Sequence, residues 1–174
     1  MISTYPEHWP QFYTATIHGW KHLLSKDEHK DIITNSLQYL VQQKKIVLYG
    51  FVVMSNHIHL IWQPMAGQPP STIQASFMKH TSKQLKASLV KNDVETLSKY
   101  KVDKYDRTYQ VWKREPLSVE LRSASVFDQK LLYIHNNPVA AGLCANAENY
   151  YYSSARFYYD GVDAFKMLTH YSGN

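Results

Sequence analysis

The chain has 174 residues, of which 44% are hydrophobic, a formal charge of +5 and a pI of about 9.1. That length supports one domain with a substantial core, and the basic excess favours an anionic partner, nucleic acid being the commonest. A single cysteine, Cys144, excludes an internal disulfide and a multi-cysteine zinc site. The longest near-continuous apolar run, residues 46–54, is too short to cross a bilayer, and without a hydrophobic N-terminal signal the expected location is the cytoplasm, with no membrane contact.

Residues 1–10 hold two prolines without periodicity and read as an irregular arm. Residues 11–20 are rich in aromatic and β-branched side chains, the composition of a strand. Ser25-Lys26-Asp27-Glu28 has the form of a capping box, and Ile32, Ile33, Leu37, Leu40 and Val41 follow at helical spacing. A strand over residues 46–53 comes next, with Gly50 as a bulge or point of close approach. The link Met54-Ser55-Asn56 leads into a further strand, His57-Ile58-His59-Leu60-Ile61-Trp62, so the two strands predict a hairpin.

A loop over residues 64–70 precedes a second capping box, Ser71-Thr72-Ile73-Gln74, opening a helix to about residue 90. On it Lys79, Lys83 and Lys86 share one face, either as a solvated row or as contacts to phosphates. The lysine-rich residues 91–108 read as a flexible basic insertion within a single domain spanning residues 1–174. Short strands are expected over residues 109–112 and 117–121, around Lys113 and Arg114. Residues 123–125 cap a third helix that should end near Asn136-Asn137-Pro138, since proline disfavours helical geometry in the residue before it. Gly142 marks a further stop, and the aromatic stretch 149–159 either packs across the body or meets a ligand. This order predicts an α+β fold, a ferredoxin-like or RRM-like two-layer sandwich whose antiparallel sheet carries its helices on one face.

Side chains alternate along a strand, so His57 and His59 project from the same side. Two adjacent imidazoles form a bidentate grip on a divalent cation if a third ligand arrives from elsewhere; otherwise they are a half-buried pair on an ordinary strand. A nucleophile must be found without a reactive-cysteine motif, a Gly-x-Ser-x-Gly elbow or a Walker loop. Tyrosine, present in 14 copies, remains. Tyr133 and Asn137 lie one turn apart on the third helix if helical geometry persists that far. A phenol with a pKa of about 10 attacks poorly unless a metal or base lowers the cost of ionising it. Two histidines with an amide or carboxylate oxygen would suit Mg²⁺ or Mn²⁺ beside a phosphate.

Three segments carry a resemblance. Met54-Ser55-Asn56-His57-Ile58-His59-Leu60, Tyr133-Ile134-His135-Asn136-Asn137-Pro138-Val139-Ala140-Ala141-Gly142-Leu143 and Tyr152-Ser153-Ser154-Ala155 resemble the single-tyrosine HUH transposases (IS200-like transposases). Within that family they are most similar to the REP-associated tyrosine transposases, over about residues 12–159. The resemblance implies that His57 and His59 bind the metal, that Tyr133 is the nucleophile, and that Asn137 stands where the family often has a glutamine as third ligand. It implies cleavage and rejoining of hairpin-containing single-stranded DNA through a 5′-phosphotyrosine intermediate, by a monomer or a homodimer. Hairpin recognition would draw on Lys79, Lys83, Lys86, Lys113 and Arg114, with aromatics stacking on exposed bases. Residues 113–120 resemble a linker of the family without a catalytic part. Two other readings use the same fold: a non-catalytic nucleic-acid-binding module, and a water-using metal-dependent nuclease in which Tyr133 is structural.

Overall fold

A computed structural model of the protein describes residues 6–172, so residues 1–5 of the expected N-terminal arm lie outside the described residues. Strand β1 (Gln11–Thr16) is shorter than the sequence predicts, because Gly19 and Trp20 take left-handed φ values of 68° and 57° and turn the chain. Helix α1 (Asp27–Gln42) begins without a side-chain cap, so the expected capping box is not formed. The turn is held instead by Lys30, whose Nζ donates to the Ser25 carbonyl at 3.0 Å and to Asp27 Oδ1 at 3.2 Å. Strands β2 (Ile46–Val53) and β3 (His57–Pro64) form the predicted hairpin. Its register shifts between Leu48 and Gly50.

Helix α2 (Pro70–Asn92) also lacks a side-chain cap; proline occupies its first turn, where the missing N–H costs nothing. Gln74, expected to close a capping box, turns outward and donates to Gln11 Oε1 and to Ser118 Oγ, each at 2.9 Å. The segment predicted to be flexible is folded: α3 (Val94–Ser98) is capped by Asp93, and β4 (Lys101–Lys104) pairs with β5 (Arg107–Tyr109). Leu97 and Tyr100 are buried and anchor this excursion to the main core, which a polar composition conceals. The strand expected over residues 109–112 is reduced to the end of β5 and a bridge between Trp112 and Ile17. Strand β6 (Leu117–Glu120) follows, then α4 (Ala124–Ala140), capped as predicted by Ser123, and α5 (Ala155–Asp160).

Helix α4 does not stop before Pro138 but runs through it to Ala140. Proline sits in the last turn, where only one intrahelical bond is lost, and Gly142 at φ 73° ends the helix.

The main sheet is antiparallel with strand order β2-β3-β1-β6. Strand β3 is inserted between β1 and β2, which α1 connects, so the α+β, ferredoxin-like order is the one the sequence predicts. The helices, however, do not all lie on one face. Tyr13, Ile58, Leu60 and Trp62 pack with Ile33 and Leu37 of α1 and with Ile73 and Phe77 of α2. Phe12, Val52 and Ile61 point the other way and pack with Phe127 and Ile134 of α4. An apolar second face must be covered, and α4, which follows the four-strand core in sequence, covers it; each such buried side chain contributes about 1.5–3 kcal/mol. A Cβ on Gly50 would lie 2.8 Å from Leu131 Cδ1, so the glycine lets α4 settle on β2.

Three tyrosines of the aromatic stretch pack across the body, while Tyr151 and Tyr159 stay exposed. Tyr150 donates to the Val53 carbonyl at 2.9 Å, Tyr152 to Asp31 Oδ1 at 2.9 Å and Tyr158 to the Tyr49 carbonyl at 2.8 Å. No helix among the described residues is long and apolar enough to cross a membrane.

On α4, His135 bonds through Nε2 to Ser154 Oγ at 2.9 Å, and burial lowers its pKa to about 4. Between pH 6.5 and 4 the unfolded chain takes a proton here that the native state refuses, so stability falls as pH falls through that window. Urea unfolding at pH 7.5 and 5 should therefore differ by about 1–2 kcal/mol more in the wild type than in His135→Gln.

Candidate active site

On β3, Ile58 and Leu60 are fully buried toward α1 and α2, which turns His57 and His59 to the α4 face. Their rings lie 4.8 Å apart, and His59 stacks on Phe12 at 5.4 Å with only 19° between the planes. Each ring is fixed through Nδ1. His57 Nδ1 is 2.7 Å from Asn56 Oδ1, and His59 Nδ1 is 2.7 Å from Thr14 Oγ1, its cross-strand partner on β1. The Asn56 oxygen can only accept, so His57 carries its proton on Nδ1 and presents the lone pair of Nε2.

Burial lowers the pKa of His57, opposed by a hydrogen bond with Asn137. Burial, then the positive charges of His57 and Lys130, lowers that of His59 to about 3. Both rings are therefore neutral near pH 7, the form that ligates metals.

The opposite wall is α4. Because the helix persists through Pro138, Tyr133 and Asn137 share its inner edge, one turn apart. The Tyr133 ring is 5.3 Å from His59 and 6.0 Å from Phe12, yet the residue remains 51% exposed. The structure thus brings His57, His59, Tyr133 and Asn137 together on an open shelf. Among the described residues, no Asp, Glu, Cys or further His completes a three-membered metal cluster with the two histidines. The donors at hand are two imidazole nitrogens and the Asn137 amide, a set that fits a divalent cation with open coordination positions.

The predicted DNA-binding residues divide. Lys79, Lys113 and Arg114 meet in a groove of about 460 Å³ between α2 and residues 107–116, which Arg107 and Trp112 also line. Asp106 tempers its charge, pairing with Arg107 and lying 3.6 Å from Arg114. Lys83 and Lys86 continue along α2 outside that lining.

Asn56, Thr14, Phe12 and Lys130 were not singled out by the sequence. Asn56 abuts His57 and Lys130 precedes Tyr133 by three residues, so spacing alone could have flagged both. Thr14 and Phe12 reach the site only through the β1–β3 register, which no local pattern encodes.

No family model matches the chain, and no curated protein matches it. Several solved structures are similar to it. One is a REP-associated tyrosine transposase bound to a REP hairpin, with TM-score 0.63 and 16% identity over 99% of this chain and 97% of that one. Another is a Deinococcus radiodurans R1 protein provisionally named a transposase, with TM-score 0.50 and 14% identity over 78% of this chain and 95% of that one. The chain has the fold of these transposases, as its three sequence segments imply.

The Asn56 contact has a direct spectroscopic consequence. Nitrogen-15 chemical shifts of the metal-free protein should show His57 as the Nδ1–H tautomer at pH 7.5. Asn56→Ala should shift it toward a mixture; an unchanged ratio would mean that Asn56 does not set the tautomer.

Proposed function

We propose that this protein is a tyrosine nuclease and strand transferase, a transposase-type enzyme acting on hairpin-containing single-stranded DNA. The observation that carries the reading is the convergence of one exposed tyrosine with two neutral histidines and an amide. Tyr133 stands 5.3 Å from His59 on a shelf open enough for a polymer backbone. The solved transposase that shares this fold is bound to a REP hairpin, which supports the same class of substrate here.

In the proposed reaction Tyr133 Oη attacks the phosphorus of a phosphodiester. The Oη–P bond forms, the P–O3′ bond breaks, the phenolic proton passes to solvent and the 3′ oxygen leaves as a hydroxyl. The product is a 5′-phosphotyrosine link, whose bond energy is retained for rejoining when a 3′-hydroxyl reverses the step. The rigid α4 aims Tyr133, while Asn56 and Thr14 hold the two imidazoles with their Nε2 atoms toward the shelf. A divalent cation held by His57, His59 and the Asn137 amide oxygen would polarise the phosphoryl oxygen; the mixed imidazole and amide donors suit Mn²⁺ as well as Mg²⁺. A water-using nuclease would need a base for its water, and among the described residues no carboxylate joins the histidines in a cluster.

The hairpin's phosphates would run along the groove of Lys79, Arg107, Lys113 and Arg114, with Trp112 and Tyr109 alongside. Its position against α2 separates it from the histidine shelf on the α4 face.

Incubation with a DNA hairpin bearing single-stranded flanks and Mn²⁺ should give a covalent protein–DNA adduct that is lost in Tyr133→Phe. Cleavage that survives that change would favour water as nucleophile, and binding without cleavage would favour a non-catalytic module. His57→Ala should abolish cleavage while a gel shift retains most hairpin binding; equal loss of both would contradict two separate sites. Lys79→Ala with Lys113→Ala should reduce the salt dependence of binding, by about 1–2 in log–log slope, more than Lys83→Ala with Lys86→Ala does. Equal slopes for the two pairs would remove the groove from the hairpin's path.

A further inference from the structure

Lys130 is the one cation that α4 delivers to the shelf, three residues before Tyr133 and on the same helical face. Its Nζ lies 4.9 Å from the centre of the Phe12 ring and 5.9 Å from that of Tyr133. Phe12 in turn stacks on His59. The ammonium therefore lies over the ring that stacks on His59 and 5.9 Å from the Tyr133 ring, on an aromatic face that fixes it without neutralising it. It takes part in none of the ion pairs formed among the described residues. The residue is half-buried, and its positive charge is not compensated by a carboxylate among the described residues, which leaves it able to meet an anion from outside.

We propose that Lys130 is a further catalytic residue, its ammonium contacting a non-bridging oxygen of the phosphate that Tyr133 attacks. The inference rests on the tyrosine reading above. Lys130 transfers no proton and forms no bond: it supplies positive charge as the pentacoordinate phosphorus gathers charge on its equatorial oxygens. Its side chain also lies over the Phe12 ring, so a purely structural role is the rival.

Lys130→Met keeps that stem and removes the charge, whereas Lys130→Arg keeps the charge. With a hairpin oligonucleotide carrying degenerate flanks, Lys130→Met should slow adduct formation about 10²-fold, and Lys130→Arg should restore most of the rate. Once the cleaved position is mapped, a neutral methylphosphonate placed there should cancel the difference between Lys130→Met and wild type. A structural pillar would instead leave Lys130→Met near the wild-type rate, or equally slow on both backbones, and either result overturns the proposal. Binding of the same oligonucleotide to a Tyr133→Phe background in EDTA gives a second reading: removing the charge should lower the salt slope by about 0.7. A lowered slope in a protein whose wild type forms no adduct would keep the phosphate contact and reject the tyrosine chemistry. Normal adduct formation by Lys130→Met would reject the contact and keep the chemistry.

Discussion

The register of β3 against β1 is the constraint on which the site depends. Ile58, Leu60 and Trp62 are fully buried against α1 and α2, and that burial fixes which side chains of β3 face away. His57 and His59 are what remain on the opposite face, joined there by Ile61. A slip of one residue would bury both histidines under α1 and α2 and expose Ile58 and Leu60, so the apolar core enforces the geometry of the polar shelf. The same register sets Thr14 opposite His59 and Phe12 beside it, so β1 supplies both the Nδ1 partner and the stacking floor.

The second constraint is the cover of α4. A sheet buried on both faces needs a second layer, and the helix that provides it also carries Lys130, Tyr133 and Asn137 along one edge. Phe127 and Ile134 anchor it from below, and the missing Cβ of Gly50 allows the close approach of Leu131. The place of Tyr133, the proposed nucleophile, is thus set by packing atoms remote from the shelf. That leaves the exposed shelf free to present two neutral imidazoles and the Lys130 ammonium, which joins no ion pair among the described residues.

Much of this was legible in the sequence. Alternation along β3 gave the shared face of the histidines, and the motif segments gave Tyr133 and Asn137 as their companions. The strand and helix order gave the ferredoxin-like plan. Helices on both faces were also written there, in the nearly uninterrupted apolar run from Ile58 to Trp62, a pattern of strands covered twice. The two capping boxes misled for different reasons: at α1 the Lys30 ammonium holds the turn through the Ser25 carbonyl and Asp27, while Gln74 reaches across to Gln11 and Ser118. Pro138 misled because the steric rule against a helical residue before proline loses force in a final turn stabilised by the glycine that follows. Residues 91–108 look disordered by composition, since only Leu97 and Tyr100 carry their attachment to the core. The partners of the histidines were beyond a linear reading, because Thr14 becomes a neighbour only once the strands are paired.

The central claim is that a tyrosine, rather than a water, attacks DNA on this shelf. Mass spectrometry of the protease- and nuclease-trimmed adduct tests it most directly. The account predicts a peptide bearing a 5′-phosphoryl nucleotide on Tyr133, with a free 3′-hydroxyl on the released strand. A nucleotide on another residue, a 3′-phosphoryl link, or cleaved DNA with no modified peptide would contradict it.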